Sequence, residues 1–120
     1  MSANATLADQ TCIPCKGGVP PLTHEQIAPL LGQLDGWTVE NDKKLTRTYR
    51  FRNFAEAMAY ANRVAAIAEE QAHHPDLHVR WGAVTVEVWT HKIDGLTESD
   101  FYFAAKCDRA YAQDRAAAGA

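Results

Sequence analysis

Apolar positions along this chain recur with a helical period in three stretches and alternate with a strand period in four, and the switches between the two mark out the elements. Ile27, Leu30, Leu31 and Leu34 share one helical face, and Thr23 with Gln26 three residues on fits a capping box at the start of that helix. Pro29 interrupts it, which leaves two forms, a late start near Pro29 or a kink there; Asp35-Gly36 ends it. Residues 37–40 read as a short strand, Asn41-Asp42 as a turn, and 44–51 as a second strand in which Leu45, Arg47, Tyr49 and Phe51 alternate with Thr46, Thr48 and Arg50. Asn53, with Glu56 three later, caps a second, alanine-rich helix over 54–72 whose apolar stripe is Phe54, Met58, Ala61, Val64, Ala65 and Ala68. Pro75 stops it, because the residue before a proline avoids the α region.

A second hairpin follows. Leu77, Val79 and Trp81 alternate with His78 and Arg80, and Val84, Val86 and Val88 alternate with Thr85, Glu87 and Trp89. Thr97 and Asp100 then fit a capping pattern for a last helix with two apolar stripes. Phe101, Ala104 and Ala105 form one; Phe103, Cys107 and Ala110 form the other, and one of the two is a candidate face for a partner subunit. The tail from Arg115 to Ala120 is expected to fray. The order is αββαββα. Strands in hairpins make a mainly antiparallel four-stranded sheet, and three helices of this kind pack on one of its faces, an α+β fold.

The hairpin turn decides where the histidines go. A type II′ turn takes Gly at its first central position, which Gly82-Ala83 fits. Trp81 then faces Val84, Val79 faces Val86, and Leu77 faces Val88, one apolar face throughout. One step beyond the strands this register brings His74 near His91. If the second helix reaches His73, Glu69 lies four residues back on the same face, where a carboxylate fixes an imidazole's tautomer. His73, His74, His91 and Glu69 thus form one predicted cluster. His78 reads as a cross-strand partner of Glu87, and Trp81 as core.

Composition narrows the class. The chain has 120 residues, which suits a single domain at 23–117 behind an arm at 1–22. Its net charge of −3 argues against a nucleic-acid partner. No apolar run has membrane-spanning length, and the N-terminus lacks the pattern of a signal peptide, so no membrane partner and a cytoplasmic location are expected. The arm, with Gly17-Gly18 and Pro20-Pro21, reads as flexible and unpacked. It holds Cys12-Ile13-Pro14-Cys15, a lone C-x-x-C with no second ligand pair at zinc-finger spacing. Two readings stand for it, a free dithiol or metal binding that borrows His24. Three stand for the histidine cluster: a helix end where a cation suits the dipole, a His₃ metal site, or a metal-free acid/base site.

Taken together, Glu69-x-x-x-His73-His74-Pro75-Asp76, the strand Val84, Val86, Val88, then Thr90-His91, Gly95-Leu96-Thr97 and Asp100 resemble the pterin-4a-carbinolamine dehydratase family. The resemblance runs from Thr23 to Asp108 and includes Gly36-Trp37 and Phe51-Arg52-Asn53-Phe54. The C-x-x-C arm and Trp81-Gly82 resemble the bacterial branch associated with phenylalanine hydroxylase. The combination of H-H-P with the later T-H and G-L-T is specific to the family.

The resemblance implies a lyase. It implies dehydration of 4a-hydroxytetrahydrobiopterin to quinonoid dihydropterin, so that the pterin is substrate and no metal or cofactor is needed. An aromatic amino acid hydroxylase would be the pathway partner, in phenylalanine catabolism, and the oligomer a homodimer or homotetramer. His73 and His91 would transfer protons, and His74 would bind or orient the pterin with Glu69 behind it. Ala72, Trp89, Thr90 and Lys92 would join His73 and His74 in binding substrate. Trp89 departs from the small polar residue often found there, and Ala72 replaces a polar one. Some animal members also act as dimerisation cofactors of a transcription factor; an interaction role, or a His/Cys metal-binding role, is the rival reading.

Overall fold

Residues 7–13 and 17–119 are described in the computed structural model. α1 spans His24–Leu31, β1 Thr38–Glu40, β2 Lys44–Arg50, α2 Phe54–Gln71, β3 Asp76–Arg80, β4 Ala83–Val88 and α3 Glu98–Gly119, with a 3₁₀ turn at His91–Ile93. The four strands form an antiparallel sheet ordered β1-β2-β4-β3. One face, with Leu45, Tyr49, Val84, Val86 and Val88, is buried beneath the helices, while Thr46, Thr48, Thr85 and Glu87 lie half-buried on the other.

Local chemistry explains the element ends. Thr23 Oγ1 accepts from the Gln26 N–H at 3.2 Å, and Gln26 Oε1 accepts from the Thr23 N–H at 2.9 Å. This closed capping box starts α1 at His24, so Pro29 lies inside the helix, which ends two residues later. Asn53 caps α2 through the Glu56 N–H at 2.8 Å. Asn41 and Asp42 both take left-handed φ, 54° and 56°, a conformation these two residue types tolerate.

The second hairpin departs from the expected register. Leu77 pairs with Val86 and Val79 with Val84, so Trp81-Gly82, not Gly82-Ala83, forms the turn. Neither residue takes a left-handed φ, so the turn is not type II′. The same valines still face inward, because the pairing moves by two positions and preserves the face. What changes is Trp81: it sits at the tip and is 70% exposed, not core. The constraint on Gly82 comes from a neighbouring chain segment. A Cβ there would lie 3.0 Å from the Phe51 carbonyl, and the Phe51 N–H donates to the Gly82 carbonyl at 2.8 Å.

Two helical faces also differ from expectation. In α2 the buried residues are Ala57, Tyr60, Ala61, Val64 and Ala68, whereas Phe54 and Met58 are 50% and 38% exposed and Ala65 is exposed. An alanine-rich helix has a weakly defined phase, and the large Tyr60 ring sets it. In α3 both stripes are buried within the chain itself, Phe101, Ala104 and Ala105 as fully as Phe103, Cys107 and Ala110, so neither is free for a partner. The arm is corrected as well. Leu7, Ala8 and Cys12 are buried against the domain, and Lys106 Nζ donates to the Ala8 carbonyl at 2.7 Å.

The core is organised by a second buried acid. Asp108 Oδ1 accepts from Trp37 Nε1 at 3.0 Å, Tyr49 OH at 2.6 Å and Arg47 Nη1 at 2.6 Å. Burial pushes its carboxyl up; these donors pull it back. Its Oδ2 is buried without a partner among the described residues. Removing the carboxylate would strand the Arg47 guanidinium in a largely buried position. Asp108→Ala is expected to lower the unfolding free energy by about 3 kcal/mol in urea titrations, and a loss below about 1 kcal/mol would show that the cluster carries little of the fold.

Candidate active site

α2 ends where Ala72 takes a left-handed conformation, φ 52°, its N–H bonded to the Ala68 carbonyl. This cap breaks the helical phase, and the two residues after it point different ways. His73 turns inward: its side chain is 12% exposed, and Nε2 lies 2.6 Å from Asp100 Oδ1. Its ring packs against Phe103 at 5.8 Å between centroids. His74 turns outward, 60% exposed, with Nε2 2.5 Å from Glu69 Oε2. Glu69 therefore serves His74 and not His73, because helical spacing does not survive the cap.

The partner of His73 is Asp100, which the sequence placed in the last helix's capping pattern and among the residues of the family resemblance, with no role at the site. Asp100 does cap: its Oδ2 accepts from the Thr97 N–H at 2.9 Å. The same oxygen accepts from Thr90 Oγ1 at 2.8 Å, and the carboxylate is fully buried. A carboxylate oxygen facing a ring nitrogen accepts, so this contact favours the His73 tautomer that carries its proton on Nε2. An Asp where a capping box usually has Glu or Gln was the available signal.

His91 arrives from the other side. Thr90 and Gly95 form a bridge, with the Thr90 N–H donating to the Gly95 carbonyl at 2.8 Å, and this pinches 91–94 into a tight turn. A Cβ on Gly95 would fall 2.6 Å from Pro21 Cβ, so only glycine fits there. Lys43 Nζ meets Asp94 Oδ2 at 2.8 Å and ties that turn to the first hairpin. The His91 ring lies 4.3 Å from the Trp89 ring, and Lys44 Nζ is 5.4 Å from the Trp89 centroid on the same indole.

Ala72, His73, His74, Trp89, Thr90, His91 and Lys92 together line one cleft of about 270 Å³. Thus the structure brings together every residue the sequence singled out for the site except Glu69, which stands beside it on His74. His74 and His91 line the same cleft as expected, without pairing as strand residues, since the β3–β4 ladder ends at Asp76 and Glu87. A larger groove of about 450 Å³ between the N-terminal segment and α3 contains no histidine. His78 meets Glu87 at 3.2 Å, though its strand partner is Thr85. Burial alone would raise Glu87, but His78 and Lys44 outweigh it and hold the carboxyl below its ordinary value.

The C-x-x-C is only partly in view, because Cys15 lies outside the described residues. Cys12 Sγ is buried and donates to the Ser99 carbonyl at 3.5 Å. Burial pushes its thiol up to about 11. His24, the other proposed ligand, pairs through Nδ1 with Asp42 at 3.0 Å. Among the described residues no three His, Cys, Asp or Glu side chains converge as a metal site would require.

The family model described as pterin 4 alpha carbinolamine dehydratase matches residues 20–110. A relative from Rubrobacter xylanophilus, provisionally named pterin-4-alpha-carbinolamine dehydratase, is 58% identical over 103 residues, covering 86% of this chain and 96% of its own. The crystal structure of a transcriptional coactivator/pterin dehydratase from Brucella melitensis aligns with a TM-score of 0.71 at 32% identity, over 76% of this chain and 98% of that one. A pterin dehydratase-like protein identified as a RuBisCO assembly factor in the α-carboxysome aligns with a TM-score of 0.55 at 22% identity, over 63% and 89%, a likeness of fold.

A protonated, buried thiol is a poor nucleophile. Cys12 is expected to resist iodoacetamide at pH 8 in the folded protein and to react once urea unfolds it, as read by peptide mass mapping. Rapid native labelling at Cys12 would contradict its buried placement.

Proposed function

Because the chain belongs to the pterin-4a-carbinolamine dehydratase family, a family of lyases, we propose that this cleft removes water from 4a-hydroxytetrahydrobiopterin to give quinonoid dihydropterin. The observation that carries this reading is the buried Thr90–Asp100–His73 chain opening onto a cleft that His91 faces from another element.

The reaction needs two proton movements. The C4a hydroxyl must gain a proton to leave as water, and N5 must lose one as the C4a=N5 bond forms. One proton goes on and one comes off, so the catalyst ends as it began. His73 and His91 are the two groups for these transfers. Asp100 holds His73 in one tautomer, and the Trp89 ring holds His91. Trp89 offers a flat wall for a flat heterocycle, with Ala72, Thr90 and Lys92 around it. His74, set by Glu69 at the rim, orients the ring. Both transfers fall to imidazoles, so the chemistry calls for no metal or cofactor.

The substrate is the species an aromatic amino acid hydroxylase releases, which makes such a hydroxylase the pathway partner, in phenylalanine catabolism and in the cytoplasm. No helix among the described residues is long and apolar enough to cross a membrane. A homodimer or homotetramer is supported by Phe54 and Met58, large apolar side chains that α2 leaves exposed, and by β3, which lies at an edge of the sheet. An interaction role is the second reading, favoured by the coactivator in the name of the Brucella protein.

The test is a coupled hydroxylase assay that follows decay of the 4a-carbinolamine. Wild-type protein is expected to speed that decay. His73→Ala and His91→Ala should each lower kcat by about 10²–10⁴-fold while the circular dichroism spectrum is kept, and His74→Ala should act mainly on KM. Dialysis against EDTA should leave the rate unchanged. No acceleration by wild-type protein, or stoichiometric zinc lost together with activity, would overturn the reading.

A further inference from the structure

The N-terminal segment does more than cover the domain. Gln71 is the last residue of α2, two before His73, and Ser99 immediately precedes Asp100. The Cys12 N–H donates to Gln71 Oε1 at 2.9 Å, and Cys12 Sγ donates to the Ser99 carbonyl at 3.5 Å. The Ile13 N–H donates to Ser99 Oγ at 2.8 Å, and that hydroxyl sits 3.4 Å from the Ile13 carbonyl. Two consecutive residues therefore bond to both helix ends that carry the His73–Asp100 pair, from some sixty to ninety positions away in sequence.

We propose that residues 7–13 form a strap that fixes the end of α2 against the start of α3, with Gln71 and Ser99 as positioning residues that hold His73 Nε2 on Asp100. The strap is anchored independently of the site: Leu7 and Ala8 are buried, and Lys106 holds the Ala8 carbonyl at 2.7 Å. Asp100 is already held to its own neighbourhood by Thr90 and Thr97. These bonds act on Asp100 and not on the α2 end, where Ala72 turns the chain out of the helix and the His73 N–H bonds back to the Ala68 carbonyl at 3.1 Å. The Cys12–Gln71 bond ties that end to the strap. Its effect on turnover rests on the dehydratase reading; its effect on the histidine does not.

The variants are Gln71→Ala, Ser99→Ala and the double variant, with Gln71→Glu as the control that keeps the acceptor oxygen. Two measurements are made well below each variant's Tm. In long-range ¹H–¹⁵N spectra, wild-type His73 is expected as a single Nε2–H tautomer with a slowly exchanging proton. The alanine variants should show mixed tautomers and faster exchange, and Gln71→Glu should return toward wild type. In the coupled assay, kcat should fall about 10- to 100-fold in the double variant with KM within about twofold, the pattern of a misplaced group and not a lost contact. A lowered Tm with the His73 spectrum and kcat unchanged would make the segment a mere cover and overturn the proposal. If wild-type protein shows no dehydratase activity, the spectra still decide on the strap, and only the functional reading falls.

Discussion

Asp100 has no contact with solvent, and the cost of burying its carboxyl group is offset by donors that meet both of its oxygens. Three elements supply them. His73 comes from just past the end of α2, Thr90 from just past the end of β4, and the Thr97 N–H from the residue that precedes α3. Moving any of them costs a hydrogen bond to a buried carboxyl group, so Asp100 ties helix, sheet and helix together at this junction. Much else serves that junction. The left-handed Ala72 turns His73 toward it, the Thr90–Gly95 bridge aims His91 across from it, and the N-terminal segment crosses behind it.

A second buried carboxylate, Asp108, sits two turns along the same helix and performs the analogous task for the core. It gathers Trp37, Arg47 and Tyr49 around one oxygen, next to a group of aromatic rings that includes Tyr60 and Tyr111. α3 thus carries one acid toward the cleft and one toward the sheet. This explains why both of its apolar stripes are consumed inside the chain: the helix packs on two sides and leaves only a face with Glu98 and Arg109 to solvent.

What the sequence made legible were features governed by short spacing. The Thr23 and Asn53 caps, the strand alternation and the inward valines all depend on contacts a few residues apart, and all are in place. The family resemblance rested on short motifs too, His73-His74-Pro75, Thr90-His91 and Gly95-Leu96-Thr97. What it left hidden were relations across distance. The hairpin slid by one turn position because parity, which the valine pattern reports, does not distinguish registers that differ by two. Asp100 passed as a cap because its role there accounted for its presence. The arm looked loose because its glycines and prolines dominate its composition, whereas Leu7, Ala8 and Cys12 do the packing. Helical spacing alone set Glu69 beside His73, and a single left-handed residue, Ala72, is why it meets His74 instead.

The placement of the three tryptophans has an optical consequence. Trp37 is buried beside Asp108, Trp81 projects into solvent at a hairpin tip, and Trp89 forms a wall of the cleft against His91. Their emission therefore comes from three distinct surroundings, one buried and hydrogen-bonded to a carboxylate, one aqueous and one next to an imidazole that can quench it. A flat heterocycle entering the cleft would darken the third and leave the other two nearly untouched, so the fluorescence spectrum separates occupancy of the site from integrity of the fold without any added label.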